Sequence, residues 1–177
     1  AAFRDRGGLV LGICNGFQVL VQTGLLLAEP ATGLPLAALA PNASGRFVSR
    51  WVRLRAEPAN CVFLSGLHDF DLPVAHGEGR FVVRSSAEFA ALDAAGRFVL
   101  RYATDATGTT TNPNGALGDV AGACDATGRV LGLMPHPERF IEATQHPSWS
   151  GRLDPDTPGA GLAFFVNAVR ADRKSTR

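Results

Sequence analysis

The chain has only three cysteines, Cys14, Cys61 and Cys124, and no two of them form a Cys-x-x-Cys pair. That odd, scattered set suggests neither a zinc site nor a disulfide framework and fits a reducing cytoplasm. Cys61 and Cys124 lie in apolar runs and read as inert core residues. No apolar run approaches the roughly 18 residues of a membrane span, and the first residues carry no signal-peptide pattern. Phosphate loops, Gly-x-Gly-x-x-Gly fingerprints and His-Glu-x-x-His pairs are missing too, so neither a nucleotide site nor a metal site is indicated. Excess charge is also lacking. The formal net charge is +1, and the tail residues Arg170, Asp172, Arg173, Lys174 and Arg177 contribute +3 to it, leaving about −2 for the rest. A basic tail on a slightly acidic body is no nucleic-acid footprint.

What the chain does have is the content of one globular domain: 177 residues, 46% hydrophobic and 19% charged. Its most informative stretch is Gly12-Ile13-Cys14-Asn15-Gly16-Phe17-Gln18, directly after the apolar run Leu9-Val10-Leu11. This reads as a buried strand that bends sharply into a helix with a cysteine at the bend, flanked by glycines as in a nucleophile elbow. A thiol at a helix N-terminus meets unpaired N–H groups and the positive end of the macrodipole, which favour thiolate. A core-type strand so early, with no initiator Met and nothing upstream to flank it, suggests a piece of a longer protein.

The apolar periodicity predicts a well-buried helix from Asn15 to about Leu26, a long loop over residues 28–45, and a strand from Phe47 to Arg55 with Val48, Arg50, Val52 and Leu54 on one side. Cys61–Leu67, Leu72–His76 and Arg80–Val83 are short strand candidates. Ser85 or Ser86 caps a helix to about Ala95, with Glu88 completing a capping box. Arg97–Tyr102 alternates as a strand, and 104–118 is loop. Val120–Cys124 and Val130–Met134 form a hairpin around Asp125-Ala126-Thr127-Gly128. A last helix, Gly161–Ala171, turns Leu162, Phe165, Val166 and Val169 inward, followed by a disordered basic tail over 171–177. The mixture indicates an α/β domain with a mixed sheet.

A cysteine nucleophile needs a base, and the base needs an orienting group. Of His68, His76, His136 and His146, the best placed is His136, in Met134-Pro135-His136-Pro137-Glu138-Arg139. Pro137 biases His136 toward extended backbone, so His136 and Glu138, two residues apart, share a face. The carboxylate can then fix the imidazole tautomer while the other ring nitrogen faces the thiol. The segment follows an apolar strand, at the strand end where α/β sheets bind ligands. Gln18 lies one helical turn after Cys14 and either contacts substrate or bonds a neighbouring loop. His76-Gly77-Glu78-Gly79 competes as a looser base–orienter pair. Asn112-Pro113-Asn114-Gly115 is a turn that either presents backbone to a ligand or only connects.

The elbow together with Met-Pro-His-Pro-Glu-Arg resembles the class I (triad) glutamine amidotransferases. More narrowly, Asn15, Asn42 with Ser44 and Arg46-Phe47, Ala75-His76-Gly77-Glu78-Gly79, and Asn112-Pro113-Asn114-Gly115 resemble, in that order, the glutaminase subunits of phosphoribosylformylglycinamidine synthase. Phe17 favours the separate-subunit form. The resemblance covers about residues 7–140. It implies the three-layer, flavodoxin-like α/β fold of the class, with a mixed sheet lacking its N-terminal strands, over residues 1–170. It further implies a catalytic Cys14, His136 and Glu138, with Asn15, Gln18, Asn114 and Gly115 around the substrate glutamine. The second oxyanion donor of the family lies in a glycine-rich loop on an earlier stretch, which this sequence lacks. Ammonia would pass to a large synthetase subunit, with a small accessory subunit, in purine biosynthesis. ATP and magnesium would belong to that partner, with no cofactor in this chain. A free-standing cysteine hydrolase of the same fold (a peptidase or γ-glutamyl hydrolase) and a non-catalytic fragment are the alternatives.

Overall fold

The computed structural model describes residues 2–57, 61–152 and 154–175. In chain order they form α1 (Ala2–Asp5), β1 (Val10–Ile13), α2 (Asn15–Gln22), β2 (Ala37–Pro41), β3 (Val48–Ala56), β4 (Asp69–His76), β5 (Glu78–Val83), α3 (Ser86–Ala94), β6 (Phe98–Tyr102), β7 (Val120–Cys124), β8 (Val130–Leu133), α4 (Trp149–Arg152) and α5 (Leu162–Ser175). Six strands make one mixed sheet in the order β1-β8-β7-β6-β3-β4, and β2 pairs with β5 in a separate antiparallel ribbon. Only β1 and β8 are parallel neighbours; the other pairs are antiparallel. It follows that β1, β8, β6 and β4 all run the same way. Their C-terminal ends share one rim of the sheet, and they deliver Cys14, His136, Tyr102 and His76 to it.

A flat sheet would hold β1 and β4 about 24 Å apart, five spacings of about 4.8 Å. Yet the Cys14 thiol lies 4.0 Å from the Ala75 carbonyl at the end of β4, and the His136 N–H donates to the Pro73 carbonyl at 2.9 Å. Two features close that gap. Register irregularities between β6 and β7 bend the sheet. In addition, β3 pairs with β6 only through Leu54, Arg55 and Ala56. Residues 48–53 therefore overhang the rim, paired with β4 alone, for about 20 Å at strand rise. The loop after β6 braces this overhang. Thr111 exchanges hydrogen bonds with the Arg53 backbone, and the Arg50 guanidinium donates to the carbonyls of Thr111 and Asn112. The β3–β4 ribbon thus folds over β1 and β8.

The core is one apolar cluster in which Phe17, Phe81 and Phe98 form a chain of ring contacts at 6.4 and 5.3 Å. The hairpin β7–β8 forms as expected. Asp125 accepts from the N–H groups of Arg129 and Val130 at 3.0 Å each and so fixes its turn. Ser85 caps α3 by accepting from the Glu88 N–H, but the Glu88 carboxylate turns to Arg84, so the box closes on one side only.

Several expectations need correction. The stretch 28–45 contains β2, whose Ala-Ala-Leu-Ala run pairs with β5, although flanking prolines and glycines make it look like loop. Cys61–Leu67 holds a 3-10 turn at Val62–Leu64 rather than a strand. Helix α2 stops at Gln22, capped by Thr23, and Val19 remains 47% exposed on its outer side. Helix α5 runs to Ser175, into the segment expected to be a tail; residues 176–177 lie outside the described residues. Its inward stripe is also rotated. Phe164 and Asn167 are buried, while Val169 is 52% exposed. Asn167 donates to the carbonyls of Phe63 and Ser65 at 3.0 and 2.8 Å, so a hydrogen-bonding position displaces the phase that hydropathy suggests. Among the described residues, no helix is long and apolar enough to cross a membrane.

Candidate active site

Cys14 stands between β1 and α2 with φ 52° and ψ −108°, a backbone conformation that non-glycine residues rarely adopt. Its N–H donates to the Leu133 carbonyl at 2.8 Å, and its carbonyl accepts from the Phe17 and Gln18 N–H groups. The bend is tight because Gly12 allows it. A β-carbon at Gly12 would lie 2.8 Å from the Gly16 backbone and 2.5 Å from Leu20 Cδ1. Gly16, by contrast, faces open space. The second elbow glycine is therefore not a close-packing requirement.

The thiol does not behave as its helix-terminal position alone suggests. Burial pushes its pKa above the ordinary thiol value; the Asn15 N–H and the Arg139 charge pull it down, and Glu138 pushes it up again. Desolvation outweighs the N-terminal donors, so the net shift favours the thiol over the thiolate. A candidate base is at hand. In the parallel register Ile13 pairs with Leu133, so the chain leaves β1 at Cys14 beside the Met134–His136 exit from β8. His136 is 7% exposed, and its Nδ1 lies 2.6 Å from Glu138 Oε1. The two-residue spacing brings base and carboxylate together as predicted, with His136 extended (φ −107°, ψ 88°) ahead of a 3-10 turn at Pro137–Arg139. Nδ1–H donating to the carboxylate leaves Nε2 as a bare lone pair. That atom is buried and has no protein partner among the described residues.

The remaining sequence candidates divide. Gln18 Nε2 donates to the Glu78 carbonyl at the start of β5, at 3.3 Å. Asn114 is 1% exposed, with its amide nitrogen on the Gly79 carbonyl and its oxygen accepting from the Ala116 N–H. The Gly115 N–H donates to the Asn112 side chain at 2.9 Å. The polar groups of Asn112-Pro113-Asn114-Gly115 mainly tie loops together. His76 and Glu78 do not form a base–orienter pair, because Glu78 is exposed and His76 pairs elsewhere. Its Nδ1 lies 3.0 Å from Asn42 Oδ1. Burial, with His136 adding to it, lowers the His76 pKa to about 4.

Tyr102 is a site neighbour that the residue pattern did not flag. Its hydroxyl is buried at the end of β6, and burial above all, with Cys14 adding, pushes its pKa up. Arg139, adjacent to the motif, supplies the positive charge felt at Cys14. Cys61 and Cys124 are buried core residues, and Cys124 together with burial pushes the Cys61 thiol up. Among the described residues no group of three His, Cys, Asp or Glu side chains is placed to hold a metal ion.

A cysteine at a strained strand–helix bend, with an imidazole held by a carboxylate at the exit of the adjacent parallel strand, is a candidate nucleophile–base arrangement. The CobB/CobQ-like glutamine amidotransferase domain matches residues 1–170. The chain is 43% identical to phosphoribosylformylglycinamidine synthase subunit PurQ of Dehalococcoides mccartyi, over 97% of this chain and 67% of that protein. It is 38% identical to the subunit of the same name from Methanococcus maripaludis strain C7, over 94% of this chain and 66% of that protein. The structure of PurLQS from Thermotoga maritima contains a chain that superposes with a TM-score of 0.69 at 31% identity, covering 96% of this chain and 65% of that one. The chain belongs to the glutamine amidotransferase family and, within it, to the branch of these phosphoribosylformylglycinamidine synthase subunits. It spans about two thirds of the length of the curated relatives it matches.

Proposed function

We propose that the site releases ammonia from the side-chain amide of L-glutamine, as the glutaminase component of phosphoribosylformylglycinamidine synthase in purine biosynthesis. The observation that carries the reading is the convergence of Cys14 and the His136–Glu138 pair at the ends of two adjacent parallel strands. His136 Nε2 takes the thiol proton, and the sulfur attacks the carboxamide carbon. The Asn15 N–H, next in the chain after the nucleophile, is the donor for the oxyanion that forms. Collapse breaks the C–N bond, with His136 returning its proton to the departing nitrogen. Water, deprotonated by His136, then opens the glutamyl thioester to glutamate.

The relatives are named as synthase subunits, and one solved neighbour is a chain of PurLQS. On that basis the ammonia passes to a large ATP- and magnesium-dependent synthetase subunit, with a small accessory subunit in the assembly and no cofactor in this chain. That large subunit would amidate formylglycinamide ribonucleotide in the cytoplasm. The test is a Cys14→Ser variant reconstituted with the synthetase subunit. Glutamine-dependent amidation should be lost, while amidation from added ammonium persists. Full glutamine-dependent activity in that variant overturns the assignment, and robust peptide turnover by the chain alone would favour a free-standing hydrolase.

A further inference from the structure

A second imbalance at the rim is not accounted for by the triad. His76 is 3% exposed, closes β4, and follows the residue whose carbonyl touches the Cys14 thiol. Asn42 fixes its tautomer. The Asn42 amide nitrogen donates to the carbonyls of Arg46 and His76 at 2.8 and 2.9 Å, which engages both of its hydrogens. Its oxygen is therefore the atom facing His76 Nδ1, so Nδ1 carries the proton and Nε2 is a bare acceptor. That Nε2 is buried and, like His136 Nε2, has no protein donor among the described residues. The ring is also wedged in place: a β-carbon on Gly79 would meet His76 Nδ1, His76 Cε1 and Met134 Cε at 2.8–2.9 Å. A buried acceptor without a donor is destabilising by about 1–3 kcal/mol. Two such acceptors at strand ends of one rim, one of them on the residue that follows the carbonyl met by the Cys14 thiol, indicate a shared ligand rich in N–H groups.

We propose that His76 is a further catalytic residue whose Nε2 lone pair accepts an N–H of the glutamine carboxamide nitrogen and of the ammonia it becomes. The inference rests on the glutaminase reading above. As the C–N bond breaks, the proton on His136 Nε2 moves to the nitrogen, which then holds three N–H bonds and gathers positive charge. His76 accepts one of those N–H bonds and takes no proton. Burial, which holds the ring's pKa near 4, suits it to that task, since a stronger base would compete for the proton.

Glutamine and a carboxamide-free analogue separate this role from a structural one. In 6-diazo-5-oxo-L-norleucine the diazomethyl carbon replaces the amide nitrogen, so there is no N–H to accept. Glutamine turnover is measured with the synthetase partner present, and Cys14 alkylation by intact-mass spectrometry. His76→Leu is expected to lower kcat for glutamine about 10- to 100-fold with KM changed less, while the rate of Cys14 alkylation stays within about twofold. His76→Gln, whose amide oxygen can accept, should recover most of the loss. Wild-type turnover in His76→Leu overturns the inference alone, as does a parallel loss of turnover and alkylation. Failure of the analogue to label wild-type Cys14 overturns the glutaminase reading and this inference together. Histidine 15N NMR at neutral pH gives a readout independent of activity: His76 must show a protonated Nδ1 and a bare Nε2, and the opposite tautomer rules the proposal out.

Discussion

Two nearly buried imidazoles stand on the same rim of the sheet, and they differ in what holds Nδ1. His136 is held by the carboxylate of Glu138, two residues away on its own strand exit; His76 is held by the carboxamide of Asn42, 34 residues away. A carboxylate partner only accepts, so it fixes the tautomer and the plane of the ring. A carboxamide carries no charge, so burial decides the matter and the ring stays neutral. One rim thus holds an imidazole paired with a charged acceptor and another paired with a neutral one.

The sharpest way to break this contrast is to make His136 resemble His76. Glu138→Gln keeps the shape of the side chain and removes its charge. Glutamine turnover with the synthetase partner is expected to fall about 10²- to 10⁴-fold in kcat, with ammonium-dependent amidation unchanged. A loss of less than tenfold would mean that the carboxylate does not distinguish the two rings.

The next effect reads the neutral ring through stability. The His76 pKa is about 4 in the folded chain against an ordinary 6.5, so the unfolded state binds the extra proton between those values. The associated stability is fully present above pH 6.5 and is lost as pH falls from 6.5 through about 4, amounting to about 3 kcal/mol. Denaturant unfolding at pH 7 and at pH 4 should show that component in the wild type and lack it in His76→Leu. Equal acid sensitivity in the two proteins would show that His76 is not a buried neutral histidine.

The legibility of the two rings differs for the same physical reason. Cys14, His136 and Glu138 are specified locally, by a glycine-flanked bend and by a two-residue spacing on extended chain; the structure pairs His136 with Glu138 as read and puts Cys14 at the end of the adjacent parallel strand. The partner of His76 comes from the loop after β2, in a stretch whose prolines and glycines hide a strand. The nearer Glu78 looks like the partner until burial is known. The overhang of β3 beyond β6, which carries β4 back over Cys14, is a property of sheet pairing and curl that no single segment displays. The rotated face of α5 has a similar origin, since Asn167 turns inward for two carbonyls that lie about a hundred residues away along the chain. Burial likewise reversed the expected shift of the Cys14 thiol.

A smaller perturbation can move one ring without touching the other. Gly79→Ala would place a methyl 2.8 Å from His76 Nδ1 and from Met134 Cε. Met134 can give way, but the ring is tied to Asn42. The expected result is a loss of about 1–3 kcal/mol, together with a shift of the His76 NMR signals and unchanged ones for His136. Equal disturbance of both rings would mean that they form one packed unit rather than two independently held groups.

The smallest effect should come from a position that feels neither ring. Ser85 accepts from the Glu88 N–H at the start of α3, and only the serine side of that cap is made. Ser85→Ala should therefore lower stability by about 1 kcal/mol, with glutamine turnover and the acid-side stability slope both unchanged. Because the loss enters through the helix end, it must be the same at pH 7 and pH 4. If this substitution changed either the slope or the turnover, global stability would explain part of what is assigned to the two imidazoles, and their contrast would have to be drawn from the NMR signals alone.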